Sequence, residues 1–172
     1  IALDTPDDYD ARANLMWAST LALNGLTGSG KGGAWSCHPM EHELSAFYDI
    51  THGVGLAILT PRWMLHVLHE ETSPKSARFA REVFDVQESV PEMAARMGIQ
   101  KLYDFVASCG IPMTLPEVGS KADQHLEEMD KQAVACSSIS KHAYIPLSVD
   151  DVIAIYHDAH TPSNHLYKQR HS

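Results

Sequence analysis

Cysteine is scarce in this chain. Cys37, Cys109 and Cys136 are an odd number at wide spacings, with no Cys-x-x-Cys pair. Disulfide staples are therefore not expected, and 172 residues can fill a core without them. This usage points to a reducing cytoplasm. No apolar run approaches the roughly 18 residues that a membrane helix needs, so no membrane span is expected. Basic residues are outnumbered, 13 Lys and Arg against 22 Asp and Glu, and the net charge of −9 excludes a broad nucleic-acid or anionic-membrane surface. Acidity does not exclude a nucleotide cofactor, whose phosphates backbone amides can hold. Alternating strand patterns, internal repeats and interior linkers are also missing. The chain opens Ile1-Ala2-Leu3, with neither an initiator Met nor a signal peptide. Its first residue reads as a cut inside a longer protein, and its length is too short for a complete two-domain nucleotide enzyme.

What is present is helical nearly throughout. Pro6 with Asp7 and Asp8 opens a helix, with acid at the positive end of its dipole. Leu15, Ala18 and Ala22 form its apolar stripe, and Gly25 ends it as a left-handed cap. A loop with five glycines runs from Gly25 to Gly33. A second helix is expected from Pro39 to about Tyr48, and a long apolar one from roughly Val54 to Leu68, with Pro61 bending or breaking it. Ser73-Pro74 starts another that reaches about Phe84. Pro91 starts the next, with Met93, Met97, Leu102, Phe105 and Val106 facing inward and Gly110 stopping it. Helices near Asp123–Ala135 and Ser148–His157 follow, the second opened by Ser148 with Asp150 and Asp151 in its first turn. The expectation is an all-α fold: one helical bundle domain over residues 1–160 and a polar tail over 161–172.

Eleven histidines are many for this length. His157, His160, His165 and His171 crowd the polar C-terminal end and read as solvated surface residues able to capture stray metal. The informative ones are His38, His42 and His52, three within fifteen residues beside a glycine-rich loop and a helix start. Imidazole nitrogens are common ligands for zinc and ferrous iron, so the cluster supports a metal hypothesis.

Two short motif matches compete with it. Gly25-Leu-Thr-Gly-Ser-Gly-Lys31-Gly32 fits seven places of a phosphate-binding P-loop, but the eighth, which needs Ser or Thr, is Gly32, and the run leaves a helix rather than a strand. A connector between helices is the better reading. His38-Pro-Met-Glu41-His42 fits the H-x-x-E-H signature of an inverted zinc peptidase. Pro39 argues against it: the residue before a proline is pushed out of the α region, and proline prefers the first helical position. His38 would then sit at the N-cap, outside a helical pair with His42.

The run His38-x3-His42-Glu-Leu-Ser-Ala-x-Tyr-Asp-Ile-x-His52-Gly-x-Gly-Leu-Ala-Ile-x-x-Pro61 resembles the second signature of the iron-containing (group III) alcohol dehydrogenases, and within them the butanol-dehydrogenase-like branch. Tyr9-Asp-Ala-Arg-Ala-Asn-Leu-Met-Trp-Ala-Ser-Thr-Leu-Ala-Leu-Asn-Gly, Cys109-Gly-Ile-Pro-Met-Thr-Leu and Asp151-Val-Ile-Ala-Ile-Tyr extend the resemblance over about residues 4 to 158.

The resemblance implies a C-terminal helical domain that binds one divalent metal, Fe²⁺ or Zn²⁺, across a cleft from an N-terminal domain that binds NAD or NADP. In that family an Asp and a His upstream hold the metal with two later histidines, which match His38 and His52. His42 matches a histidine of the cofactor and substrate cleft, and imidazole is suited to relaying a proton near neutrality. The implied reaction is metal-assisted hydride transfer between a small alcohol or aldehyde and nicotinamide. Half of the metal site and the whole nucleotide domain lie outside the sequence, so these residues alone are expected to be inactive. A different class of reading is a stand-alone metal-binding or interaction module that has lost catalysis. Glu41 and Glu43 read as solvated or dipole-compensating acids, Asp49 as a turn former or a partner of His52, Cys37 as structural, and Trp35, Phe47 and Tyr48 as cleft wall or core. The particular alcohol, NAD against NADP, iron against zinc, and homo-oligomer formation stay open.

Overall fold

The computed structural model describes residues 1–30, 35–120, 126–135, 139–141 and 143–162. Seven α-helices are among them: α1 (Tyr9–Leu23), α2 (Cys37–Tyr48), α3 (His52–His66), α4 (Ser73–Phe84), α5 (Pro91–Ser108), α6 (Leu126–Ala135) and α7 (Val149–Ala159). Short 3-10 turns lie at Leu26–Gly28 and Pro116–Val118, and the described residues contain no strand. The all-α expectation is correct. Lys31, Gly32 and Gly33 of the P-loop-like run, His165 and His171 lie outside the described residues, and so does the start of the expected Asp123–Ala135 helix. No helix of the described residues is long and apolar enough to cross a membrane.

The chain divides into two compact units, residues 1–33 and 34–172. In the first, the Asp8 carboxylate accepts from the Ala11 amide at 2.9 Å and caps α1, three residues past Pro6. Gly25 takes φ +86° just beyond the helix, as expected of a left-handed terminator. The stripe on α1 is not buried: Leu15, Ala18 and Ala22 are exposed, and among its described residues this unit offers the helix one 3-10 turn to pack on.

The second unit carries the core. Met40 and Leu44 of α2, Ile58 and Leu59 of α3, Met129 of α6, and Val152, Ile155 and Tyr156 of α7 pack together with Leu115 and Leu147 from the connections. Each such large side chain stabilises the fold by about 1.5–3 kcal/mol. Pro61 does not break α3. Its missing amide deprives one carbonyl of a partner, while Thr60 Oγ donates to the Leu56 carbonyl at 2.7 Å and Arg62 Nη1 to that of Ile58 at 2.7 Å. Arg62 is fully buried; its Nε and Nη2 donate to the carbonyls of Asp158 (2.9 Å) and Thr161 (3.0 Å), at the C-terminal end of α7. Tyr156 Oη donates to the Met40 carbonyl at 2.6 Å, tying α7 to α2. His160, expected to be solvated, is half-buried and hydrogen-bonded at both ring nitrogens, to the Tyr156 carbonyl (2.9 Å) and Ser120 Oγ (3.3 Å).

On α5 the inward face is not the expected one. Met93, Met97 and Phe105 are exposed, and Leu102 and Val106 are half-buried. The buried stripe is Ala94, Ala95, Gly98 and Ile99: Ala94 and Gly98 lie against α4, which approaches so closely that only small residues fit there, while Ala95 and Ile99 pack with Leu68. A Cβ on Gly98 would overlap that of Ala80 and stand 2.8 Å from its Cα. Gly98→Ala should therefore cost about 1–3 kcal/mol, despite alanine's better helix propensity. Urea unfolding checks this, and a gain in stability would show that the α4–α5 contact yields.

At the start of α7, Ser148 and Asp151 form a reciprocal capping box, and His66 Nε2 lies 2.9 Å from Asp151 Oδ1. Burial pushes the Asp151 carboxyl up, but the Ser148 hydroxyl and amide, with His66, outweigh it and hold the pKa below the ordinary value. A depressed carboxyl adds stability above its unfolded pKa, near 3.9, and loses it as pH falls through the folded value. Asp151→Asn should therefore destabilise the fold at neutral pH, with the gap from the unchanged chain closing below about pH 4. Unfolding midpoints compared at the two pH values test it.

Candidate metal centre

The candidate centre lies where α2 and α3 meet. Asp49 ends α2 in the left-handed region at φ +51°, as a turn former does, and α3 begins three residues later. α2 begins at Cys37, with Ser36 as its N-cap, so His38 is inside the helix rather than at its cap. Pro39 falls in the first turn, where amides lack helical partners, so its missing N–H costs nothing. His38 and His42 thus lie one turn apart, with ring centroids 6.2 Å apart. His52 opens α3, and its ring lies 5.2 Å from that of His38 and 5.4 Å from that of His42. The three histidines singled out in the sequence are brought together.

Glu41 joins them, against expectation. It is fully buried rather than solvated. One carboxylate oxygen pairs with His52 Nδ1, and the other accepts from Ser45 Oγ, which also lies 3.0 Å from the Ile50 carbonyl. The ligand atoms of Glu41, His42 and His52 fall within 4.8 Å of one another, close enough to hold a metal ion together, and His38 is not part of that group. Gly55 makes the room: a Cβ there would stand 2.6 Å from Glu41 Cγ and 2.8 Å from Oε1. The sequence did hold a signal. Cys37, Met40, Glu41 and Leu44 occupy one face at helical spacing, and all are buried, so Glu41 is on the core stripe.

An open cleft of about 400 Å³ borders the cluster, lined by Trp35, His38, Pro39, His42, Glu43, Gln132 and Ala133. Gln132 and Ala133, from α6, were not anticipated as lining residues. Trp35 is exposed and meets His38 edge-on, with ring centroids 4.4 Å apart. Phe47 and Tyr48 instead pack against the core. Burial, reinforced by His52 and His42, holds the His38 pKa below the ordinary imidazole value against the opposing pull of Glu41, favouring the neutral form that can ligate a cation. Burial raises the Glu43 pKa, as does Glu128, against the effect of His42. Burial pushes the Cys37 thiol up to about 12, despite a hydrogen bond with Thr60, so it is unsuited to serve as a thiolate ligand.

The imidazole donors of such a cluster suit Zn²⁺ or Fe²⁺. Comparison with known proteins agrees with that chemistry. Residues 1–160 match the model of the Fe-containing alcohol dehydrogenase family, C-terminal. The chain is 49% identical over 157 residues to NADH-dependent butanol dehydrogenase A of Clostridium acetobutylicum, covering 91% of this chain and 40% of that protein. It is 34% identical over 118 residues to the NADPH-dependent aldehyde reductase YqhD of Escherichia coli, covering 69% and 30% respectively. The solved structure of NADH-dependent butanol dehydrogenase A from Thermotoga maritima superposes with a TM-score of 0.80 at 34% identity, over 93% of this chain and 42% of that one. The chain thus spans about 40% of the curated butanol dehydrogenases it matches, and it belongs to the iron-containing alcohol dehydrogenase family as a C-terminal, all-helical, butanol-dehydrogenase-like member.

Proposed function

We propose that this chain is the metal-holding part of an NAD(P)-dependent, divalent-metal-dependent alcohol dehydrogenase or aldehyde reductase, and is inactive without a nucleotide-binding part. The observation that carries this reading is the convergence of His38, His42 and His52 where α2 meets α3, beside an open cleft. His38 and His52 hold the cation in this reading, two further ligands come from outside the chain, and His42 serves the reaction. A divalent cation held there supplies Lewis acidity toward an alcohol or carbonyl oxygen, and NAD or NADP supplies the hydride acceptor or donor.

The chain's own residues do the rest. His38 is biased toward the neutral form, so it offers a lone pair without first losing a proton. His42 is exposed on the cleft wall, where its ring can take a proton from an alcohol and pass it to solvent. Trp35 and Ala133 give the cleft apolar surface for the alkyl part of a small alcohol. Cys37 and Cys109 are free thiols, which suits a reducing cytoplasm.

The test is a metal and rate measurement on the natural full-length protein. His38→Ala and His52→Ala should each strip the bound metal and abolish NAD(P)-linked alcohol oxidation. His42→Ala should keep the metal and lower kcat by about a hundredfold. In the 172-residue chain itself, Zn²⁺ should bind weakly, and either of the first two substitutions should remove that binding. Tight binding that survives both would overturn the assignment of ligands.

A further inference from the structure

We propose that Glu41 is a positioning residue. Its buried carboxylate accepts the Nδ1 hydrogen of His52, fixing that ring's tautomer and orientation so that Nε2 is left as the lone pair for a ligand. The consequence for metal holding rests on the function proposed above; the tautomer does not.

Four observations carry the inference. Glu41 is fully buried, in a helix whose neighbouring inward residues are Cys37, Met40 and Leu44. A carboxylate withdrawn from water among such groups is costly unless donors face it. Oε2 is sealed from solvent and makes no hydrogen bond of ordinary geometry, and the group paired with it is His52 Nδ1. Oε1 is held by Ser45 Oγ, which is anchored in turn near the Ile50 carbonyl, so the carboxylate cannot swing freely. Gly55 supplies the space, since any side chain there would displace Glu41. The whole arrangement faces one nitrogen of one imidazole. A carboxylate on one ring nitrogen is how ligating histidines are commonly oriented, and it leaves the other nitrogen as the donor to a cation.

The tautomer is directly readable. Long-range ¹H–¹⁵N correlation spectra of the metal-free chain, ¹⁵N-labelled at histidine and held in alkaline buffer, distinguish Nδ1–H from Nε2–H. The His52 signals are identified by their loss in His52→Ala. The expected result is the Nδ1–H form at His52, converting wholly or partly to Nε2–H in Glu41→Gln. A His52 ring in the Nε2–H form in the unchanged chain overturns the proposal, and that reading needs no variant to fold.

The second arm is a Zn²⁺ titration, in which Glu41→Gln should weaken binding about 10- to 100-fold. An unaltered Zn²⁺ affinity in a folded Glu41→Gln chain would remove the positioning role. The Nδ1–H tautomer together with Zn²⁺ binding indifferent to His52→Ala would instead support the Glu41–His52 pairing and sink the metal reading.

Discussion

The close approach of α3 to α2 at Gly55 and Glu41 is the constraint on which the centre depends. Two helices joined by a tight turn would otherwise separate by the width of their side chains. His52 would then stand away from histidines that begin α2. A glycine in the first turn of α3 lets its backbone settle on the Glu41 side chain. At the start of α3, the His52 ring comes within 5.2 Å of His38 and 5.4 Å of His42. One residue without a Cβ thus permits three imidazoles to share a small volume.

Such an approach would be of little use if the two helices could rock, and α7 limits that motion. Tyr156 holds the Met40 carbonyl on α2, beside Glu41, while Arg62 of α3 takes up carbonyls at the end of α7. A buried guanidinium is stabilising only when its donors are met. Here three carbonyls receive it, and the face of Tyr103 on α5 lies 5.9 Å away. Substituting either Tyr156 or Arg62 would remove a hydrogen-bonded tie to α7 and leave a cavity where a fully buried side chain stood. The ties joining α2, α7 and α3 thus involve no cleft residue, and the site takes its geometry from the core.

The sequence revealed helix positions well where punctuation was strong. Ser73-Pro74, Gly25, Gly110 and Ser148 with Asp150 and Asp151 all act locally, and all mark helix ends where expected. It was less informative where distance between helices decides. Large apolar residues on α5 were expected inside, but a contact as close as Gly98 on Ala80 selects alanine and glycine and turns Met93 and Phe105 outward. Pro39 misleads for a local reason: a proline within the first turn is tolerated as well as one at its first position. The histidines were legible from their clustering. Glu41 was not, because a charged residue is assigned to solvent by default, and only the α2 stripe argued otherwise.

The burial of Glu41 bears on how the site works. A solvated Glu41 would be one acid among many on a chain of net charge −9 and would add only a diffuse attraction for cations. Buried beside His52, the same carboxylate acts at short range in a medium that screens little. Its two oxygens already face His52 Nδ1 and Ser45 Oγ, so on the proposed reading it serves the ring and not the cation. On the proposed reading, this separates two tasks. The rings near the cleft face the cation, and the charge that steadies one of them stays behind it, out of water and out of the reaction.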